Sequence, residues 1–404
     1  MRRRRRSRAP GKSKGQTGKT CLGVLLLGLA VGAAAVWLSQ CAPRRPLPTV
    51  PPLPSAPESI VEPKVLRVLV AHLQTEYRLS CEDGGTWYAL GEGGERVITT
   101  GAGPWIMTSR EGRLALDGVE QAEPQLELRP EGMECSVDDR AYRGGLLVKA
   151  GTEGRLTVFN LLEPEQYVRS VVGSEMYSDW PLETLMAQAV AARTFMLYTL
   201  STKGHLSRVD MAYRGVAGES APADLATELT RGIVLTCRGK ILPAYFTNTC
   251  GGHTVAVEKV FAMEPMGPLG GVKCDWCRES PSYEWTAEMP AAQIVERLKD
   301  ARLSTVTSIK PEGAEPDGYA RFVIINGEVR LGGHAFSLAM GSDQVKSACL
   351  TVKERDGQFA FDGRGSGHGV GMCQWGARGL AEAGRTWMDV LFYYYPGAEL
   401  QKAY

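Results

Sequence analysis

The chain has 404 residues, enough for one large or two ordinary domains, and balances 46 basic against 45 acidic side chains. Much of the basic excess sits in Arg2 to Arg6, Arg8, Lys12, Lys14 and Lys19, so the remainder is mildly acidic. That distribution gives little support to a folded part that grips nucleic acid.

The basic head runs straight into an apolar stretch from Cys21 to Leu38, long for a signal peptide and just long enough to span a bilayer. The positive-inside tendency leaves the head cytoplasmic and everything after Ser39 outside. Leu38-Ser39-Gln40-Cys41 also resembles a bacterial lipoprotein cleavage box, with lipid added at Cys41, although Gln40 stands where a small residue is usual. An uncleaved anchor and lipidation are both open, and either tethers residues beyond 41 on the extracytoplasmic side of the envelope. Residues 42–63 hold Pro43, Pro46, Pro48, Pro51, Pro52, Pro54 and Pro57, the composition of a semi-rigid spacer.

Folding is expected from Lys64. Residues 64–161 read as a β-rich part, with strand-like runs at Leu66–Val70, Thr86–Leu90, Arg96–Thr100, Arg113–Leu116, Leu126–Leu128, Leu146–Val148 and Arg155–Leu161 between Gly-rich turns. Residues 162–404 then mix helices and strands. A helix from about Pro164 to Met176 is marked by Tyr167, Val168, Val171 and Val172 at helical spacing. Ser178-Asp179-Trp180-Pro181 breaks it, with Asp179 expected to cap the next helix, which is alanine-rich and stopped by Gly204. Further on, a helix over Ala221–Thr230, strands at Gly232–Thr236 and Ile241–Phe246, and a helix over Ala291–Asp300 are predicted. Strands at Phe322–Ile325 and Glu328–Leu331 flank an Asn326-Gly327 hairpin turn. A strand at Cys349–Lys353 and a last helix over Trp387–Tyr395 complete an α+β chain.

Glu175 closes the first helix beside Met176 and Trp180, where an apolar wall would raise a carboxyl pKa and keep a proton ready. Arg193 lies inside the apolar second helix, where a charge needs a partner. A solvated Glu175, or a Glu175–Arg193 structural ion pair, is the plain alternative to catalysis.

Cys250-Gly251-Gly252-His253 and Cys274-Asp275-Trp276-Cys277 have the spacing of a tetrahedral zinc site. With Cys250, His253, Cys274 and Cys277 filling every position, such a Zn2+ would be structural. Disulfides, including a Cys274–Cys277 redox pair, are the rival in an exported protein. Cys81, Cys135, Cys237, Cys349 and Cys373 leave their pairing open.

The segment from Gly363 to Ala377 is crowded with glycine and carries His368 and Gln374, able to hold sugar hydroxyls or amides. It lacks the Lys-Ser/Thr ending of a phosphate loop.

Taken in order, Val172-Gly173-Ser174-Glu175-Met176, the run Trp180 to Thr194, Asn248 to Thr254, Gly363 to Ala377 and Tyr393-Tyr394-Tyr395-Pro396-Gly397 resemble the signature of the SpoIID/LytB family, that of stage II sporulation protein D. The resemblance is strongest from about Leu146 to the C-terminus. It implies a lytic transglycosylase of peptidoglycan acting on glycan strands stripped of peptides. Glu175 would be the catalytic acid, Arg193 a groove residue near it, and His368, Gln374, Met372 and Trp180 would contact the glycan. A single carboxyl suffices there, because the muramic acid's own 6-hydroxyl attacks to give a 1,6-anhydro end. The implied partners are peptidoglycan glycan strands and a cell-wall amidase, the latter because some relatives enhance one without catalysis. Two departures from the family pattern are Cys373, where serine is common, and Ser366, where an aromatic residue is usual.

Overall fold

The structure, a computed structural model, describes residues 51–54, 63–314 and 316–404. The expected anchor over 21–38, the lipid site Cys41 and spacer residues 42–50 and 55–62 lie outside the described residues. Among those described, no helix is long and apolar enough to cross a membrane. Part of the expected spacer is tied down: Leu53 packs against the core and the Pro54 carbonyl accepts a hydrogen bond from Lys402 N at 2.8 Å.

Residues 66–162, apolar at alternate positions in most of their length, build twelve strands: β1 (Leu66–Ala71), β2 (Glu76–Ser80), β3 (Gly85–Gly91), β4 (Gly94–Gly101), β5 (Trp105–Arg110), β6 (Arg113–Leu116), β7 (Val119–Glu120), β8 (Gln125–Pro130), β9 (Glu134–Val137), β10 (Arg140–Arg143), β11 (Gly145–Ala150) and β12 (Leu156–Leu162). With β13 (Leu206–Ser207) they form a seven-stranded sheet, β13-β1-β12-β11-β8-β3-β4, and a six-stranded sheet, β10-β9-β2-β5-β6-β7. Neighbours are antiparallel except β1 and β13, where Val68 lies opposite Leu206 in a parallel pair. Buried residues alternate along β3, β5 and β12, so each sheet turns one apolar face inward. Trp87 and Trp105 meet there edge to face at 6.0 Å.

The expected helical pair is present as α1 (Pro164–Glu175) and α2 (Leu182–Lys203), with Gly204 ending α2 in the left-handed conformation. Asp179 does not cap α2. It is exposed, and the capping position is Pro181. α2 is apolar on all sides, which suits a helix enclosed by others. It is packed by α1, α3 (Ala221–Leu229), the strand Ile233–Cys237 and the last two helices of the chain. The remaining helices are α4 (Val257–Val260), α5 (Ala291–Arg297), α6 (Gly333–Met340), α7 (Gln374–Glu382) and α8 (Trp387–Tyr394). The strand expected over Ile241–Phe246 is instead irregular between Ile241 and a short strand, Phe246–Thr247.

Residues 284–364 have a hydrophobic core of their own, around Trp285, Met289, Phe336, Phe359 and Phe361. Two three-stranded sheets surround it, and the Asn326-Gly327 hairpin turns with both residues at positive φ, 52° and 75°. The architecture is α+β, as expected.

Candidate active site and cysteine centre

α1 ends at Glu175 because Met176 turns extended, and its side chain enters a groove of about 830 Å³. Ser174, Asp210, Tyr245, Phe261, His334 and His368 are among the lining residues. Phe195, Met211 and Phe246 also line the groove, and the carboxylate itself meets two hydrogen-bond donors. Ala212 N donates to Oε1 at 2.8 Å, and Gln374 Nε2 donates to Oε2 at 3.3 Å. The first bond is short and comes from fixed backbone, whereas the second is long and comes from a side chain. Oε2 is therefore the oxygen more easily released toward the groove.

Each donor is positioned by packing. The segment bearing Ala212 is pinned by its neighbour Tyr213, which stacks on Tyr167 of α1 at 4.9 Å and donates its hydroxyl to Asn160 Oδ1 at 2.6 Å. Gln374 opens α7, where Cys373 at the cap accepts from Gly376 N at 3.4 Å and Trp375 N donates to the Asn248 carbonyl at 3.2 Å. Gly376 has no room for a Cβ, which would collide with the Tyr394 hydroxyl and Cys274 Sγ. Part of the glycine in this stretch thus serves close helix packing rather than a ligand-hugging loop.

His368 forms an aromatic wall with Tyr245, Phe261 and His334, at ring separations of 5.8, 5.3 and 5.9 Å. Its Nδ1 accepts from Val370 N at 3.1 Å. Burial, with His334 nearby, pushes the His368 imidazole down to about 3, so the ring is neutral. Burial also lowers His334. Asp210, the other carboxylate in the groove, is fully engaged by Ser207 N at 2.7 Å and Lys203 Nζ at 2.6 Å. Glu175, by contrast, meets only neutral donors, Ala212 N and the Gln374 amide.

Three expected site residues lie elsewhere. Arg193 is buried and does not meet Glu175. It makes a bidentate pair with Glu165, Nε to Oε1 at 2.8 Å and Nη2 to Oε2 at 2.7 Å, and donates to the carbonyls of Ile233 and Thr227. Glu165 also accepts from Gly232 N and the Tyr404 hydroxyl. Burial pushes the Glu165 carboxyl up, but Arg193 and these hydrogen bonds overcome it and hold it below its ordinary value of 4.5. Met372 is buried beside Phe246, with its side chain in the core. Trp180 packs against Tyr177 and Trp375 at 5.3 and 5.1 Å, outside the groove lining. His334, Tyr245 and Ala212 carry no motif of their own, and sequence reasoning missed them.

The expected metal set is corrected at one position. His253 turns its Nδ1 to the Thr254 carbonyl at 2.6 Å. Cys373 takes its place, and Sγ atoms of Cys250, Cys274, Cys277 and Cys373 all lie within 4.8 Å of one another. All four are buried, and Cys250 N donates to Cys373 Sγ at 3.2 Å, while burial and the neighbouring thiols push the Cys373 thiol well above its ordinary range. Hydrogen bonds from Cys250, Cys274 and Cys373 pull the Cys277 thiol far below its ordinary range. Four converging sulfurs with backbone donors around them fit a soft tetrahedral cation. Another hollow, of about 650 Å³, lies between Trp285, Cys349 and Arg364 and shares no lining residue with the Glu175 groove.

Residues 152–237 match the family model for stage II sporulation protein, SpoIID, a span that holds both Glu165 and Glu175. An uncharacterized protein of Brachyspira hyodysenteriae is 32% identical over 254 residues, covering 61% of this chain and 68% of its own length. Stage II sporulation protein D of Bacillus subtilis is 31% identical over 261 residues, 59% of this chain and 74% of that protein. The amidase enhancer of Bacillus subtilis is 24% identical over 356 residues, 74% of this chain and half of that protein. On these matches the chain belongs to the SpoIID/LytB family.

Proposed function

We propose that the protein is a peptidoglycan lytic transglycosylase that cleaves glycan strands between N-acetylmuramic acid and N-acetylglucosamine, with Glu175 as the single acid/base. The observation that carries this reading is Glu175 itself, set in a groove between a fixed backbone donor and Gln374, which lies 199 residues away in the sequence. Protonated at Oε2, Glu175 gives its proton to the glycosidic oxygen as the bond to C1 breaks. The carboxylate then faces an oxocarbenium-like centre and takes the proton of the muramic acid's 6-hydroxyl as that oxygen attacks C1. A 1,6-anhydro end forms, the acid is regenerated and no water is consumed. The second carboxylate in the groove is tied up by Lys203 and Ser207, in keeping with a one-carboxyl mechanism. His368 and Gln374 would line the glycan path.

The four cysteines would hold a structural Zn2+, which when bound supplies a cross-link rather than substrate chemistry, since protein sulfurs fill all its positions. We place the folded part outside the cytoplasm and tethered to the membrane, from the basic head and apolar run.

A second reading, a wall-binding protein that enhances a separate amidase without cutting glycan, draws support from the amidase enhancer. Its alignment covers more of this chain than that of the sporulation protein, 74% against 59%. Incubating residues 64–404 with peptide-stripped and intact sacculi separates the two. The transglycosylase releases anhydro-ended sugars, identified by mass spectrometry, from stripped strands without any amidase. Absence of such products, with faster release of peptide by an added amidase, would establish the second reading instead.

A further inference from the structure

Cys81 and Cys135 face each other far from the four-cysteine centre, and neither the groove nor the metal reading uses them. β2 and β9 pair with Leu79 opposite Val137 and Ser80 opposite Ser136, and the same register brings Cys81 opposite Cys135. Directly opposed antiparallel residues have Cα atoms roughly 4.5–5.5 Å apart, within the span a disulfide bridges. The two Sγ atoms are 2.6 Å apart, well inside the roughly 3.5–4.0 Å at which non-bonded heavy atoms rest. Both side chains are almost wholly buried in the core between the sheets. Among the described residues the only group of potential metal ligands built on cysteine is the other one, so this pair has no further ligands to share an ion with.

We propose that Cys81 and Cys135 are joined by a disulfide in the mature protein, stapling β2 to β9 across 54 residues of chain. Two thiols give up their hydrogens and the sulfurs form one bond. A donor disulfide, that of a thiol–disulfide exchange protein or of oxidised glutathione, takes both electrons and both protons and leaves as two thiols. The Cys81 contact and burial push the Cys135 thiol far above its ordinary range, so the folded dithiol is a poor nucleophile. The bond therefore forms while the chain folds. The four-cysteine centre differs, because its sulfurs converge as a group of four, with Cys250 and Cys277 3.7 Å apart. The proposal does not depend on the enzymatic reading.

The test is peptide mapping without reduction. The full chain is refolded from denaturant in a glutathione redox buffer containing zinc, and its free thiols are blocked with N-ethylmaleimide after denaturing. The expected result is one peptide pair linking Cys81 to Cys135, separated by a phosphine reductant, with Cys237 and Cys349 alkylated. Alkylation of both Cys81 and Cys135, or their linkage to other cysteines, overturns the proposal. As a second measurement, the reductant should lower the Tm of the wild type by several degrees and leave a Cys81→Ala/Cys135→Ala variant unchanged. An equal response in both proteins also overturns it, and if the variant does not fold, the map of the wild type decides alone.

Discussion

At the residue scale, the proposed reaction depends on how Glu175 is held. Removing the amide that reaches Oε2, by Gln374→Ala, should lower kcat on peptide-stripped glycan by about tenfold, the worth of one hydrogen bond of about 1.4 kcal/mol. Tm should fall by less than kcat does, since Gln374 is buried at the floor of the groove but contributes only one long bond. A large loss of Tm with unchanged kcat would assign Gln374 to the fold instead. His368 should remain neutral throughout the range of about pH 5 to 8, checked by the NMR shifts of its imidazole, because burial and His334 keep it near 3. Glu175 and Gln374 were legible as residues because each sits in a long motif. Their contact was not, since it joins the end of one helix to the start of another that the glycine content disguised. Arg193 shows the opposite failure. Its need for a partner was legible from an apolar helix, but helical spacing names a face and not the carboxylate across from it, so Glu165 went unseen.

At the scale of elements, the Arg193–Glu165 pair ties α1 and α2 to α3, the strand Ile233–Cys237 and the C-terminal Tyr404. Arg193→Met should cost about 3–5 kcal/mol in denaturant unfolding, because Glu165 is left buried and unpaired. A double variant, Arg193→Met with Glu165→Leu, should recover much of that loss. The pair also sets a pH dependence. Glu165 is depressed in the folded state, so its contribution is complete above its ordinary value of 4.5 and drains away as pH falls through and below it. Unfolding midpoints of the wild type should therefore fall more steeply below about pH 4.5 than those of the double variant. The strands of the seven-stranded sheet were nearly all legible from the alternation of buried residues. Most of the six-stranded sheet was not, because β2, β9 and β10 are short and intersperse Glu76, Arg78, Glu134, Arg140 and Arg143 among few apolar residues. Such strands take their identity from the sheet they join rather than from their own pattern.

For the whole molecule, the cysteine centre brings Cys373 to thiols 96 to 123 residues earlier in the chain, and Cys373 couples it to the helix that carries Gln374. Purified protein should hold about one zinc per chain, lost with Cys373→Ser and retained with His253→Ala, as measured by elemental analysis. The pattern of two close pairs pointed to Cys250, Cys274 and Cys277, and the departure from the family's serine at Cys373 was the sequence signal for the fourth ligand. Distance along the chain hid it. The most direct measurement of the central claim is the mass spectrum of sugars released from peptide-stripped sacculi by the wild type and by Glu175→Gln, both shown to be folded. The account predicts 1,6-anhydro ends from the wild type and a loss of about a hundredfold or more from the variant, the scale of general acid catalysis. Equal release of the same products by both proteins would contradict it.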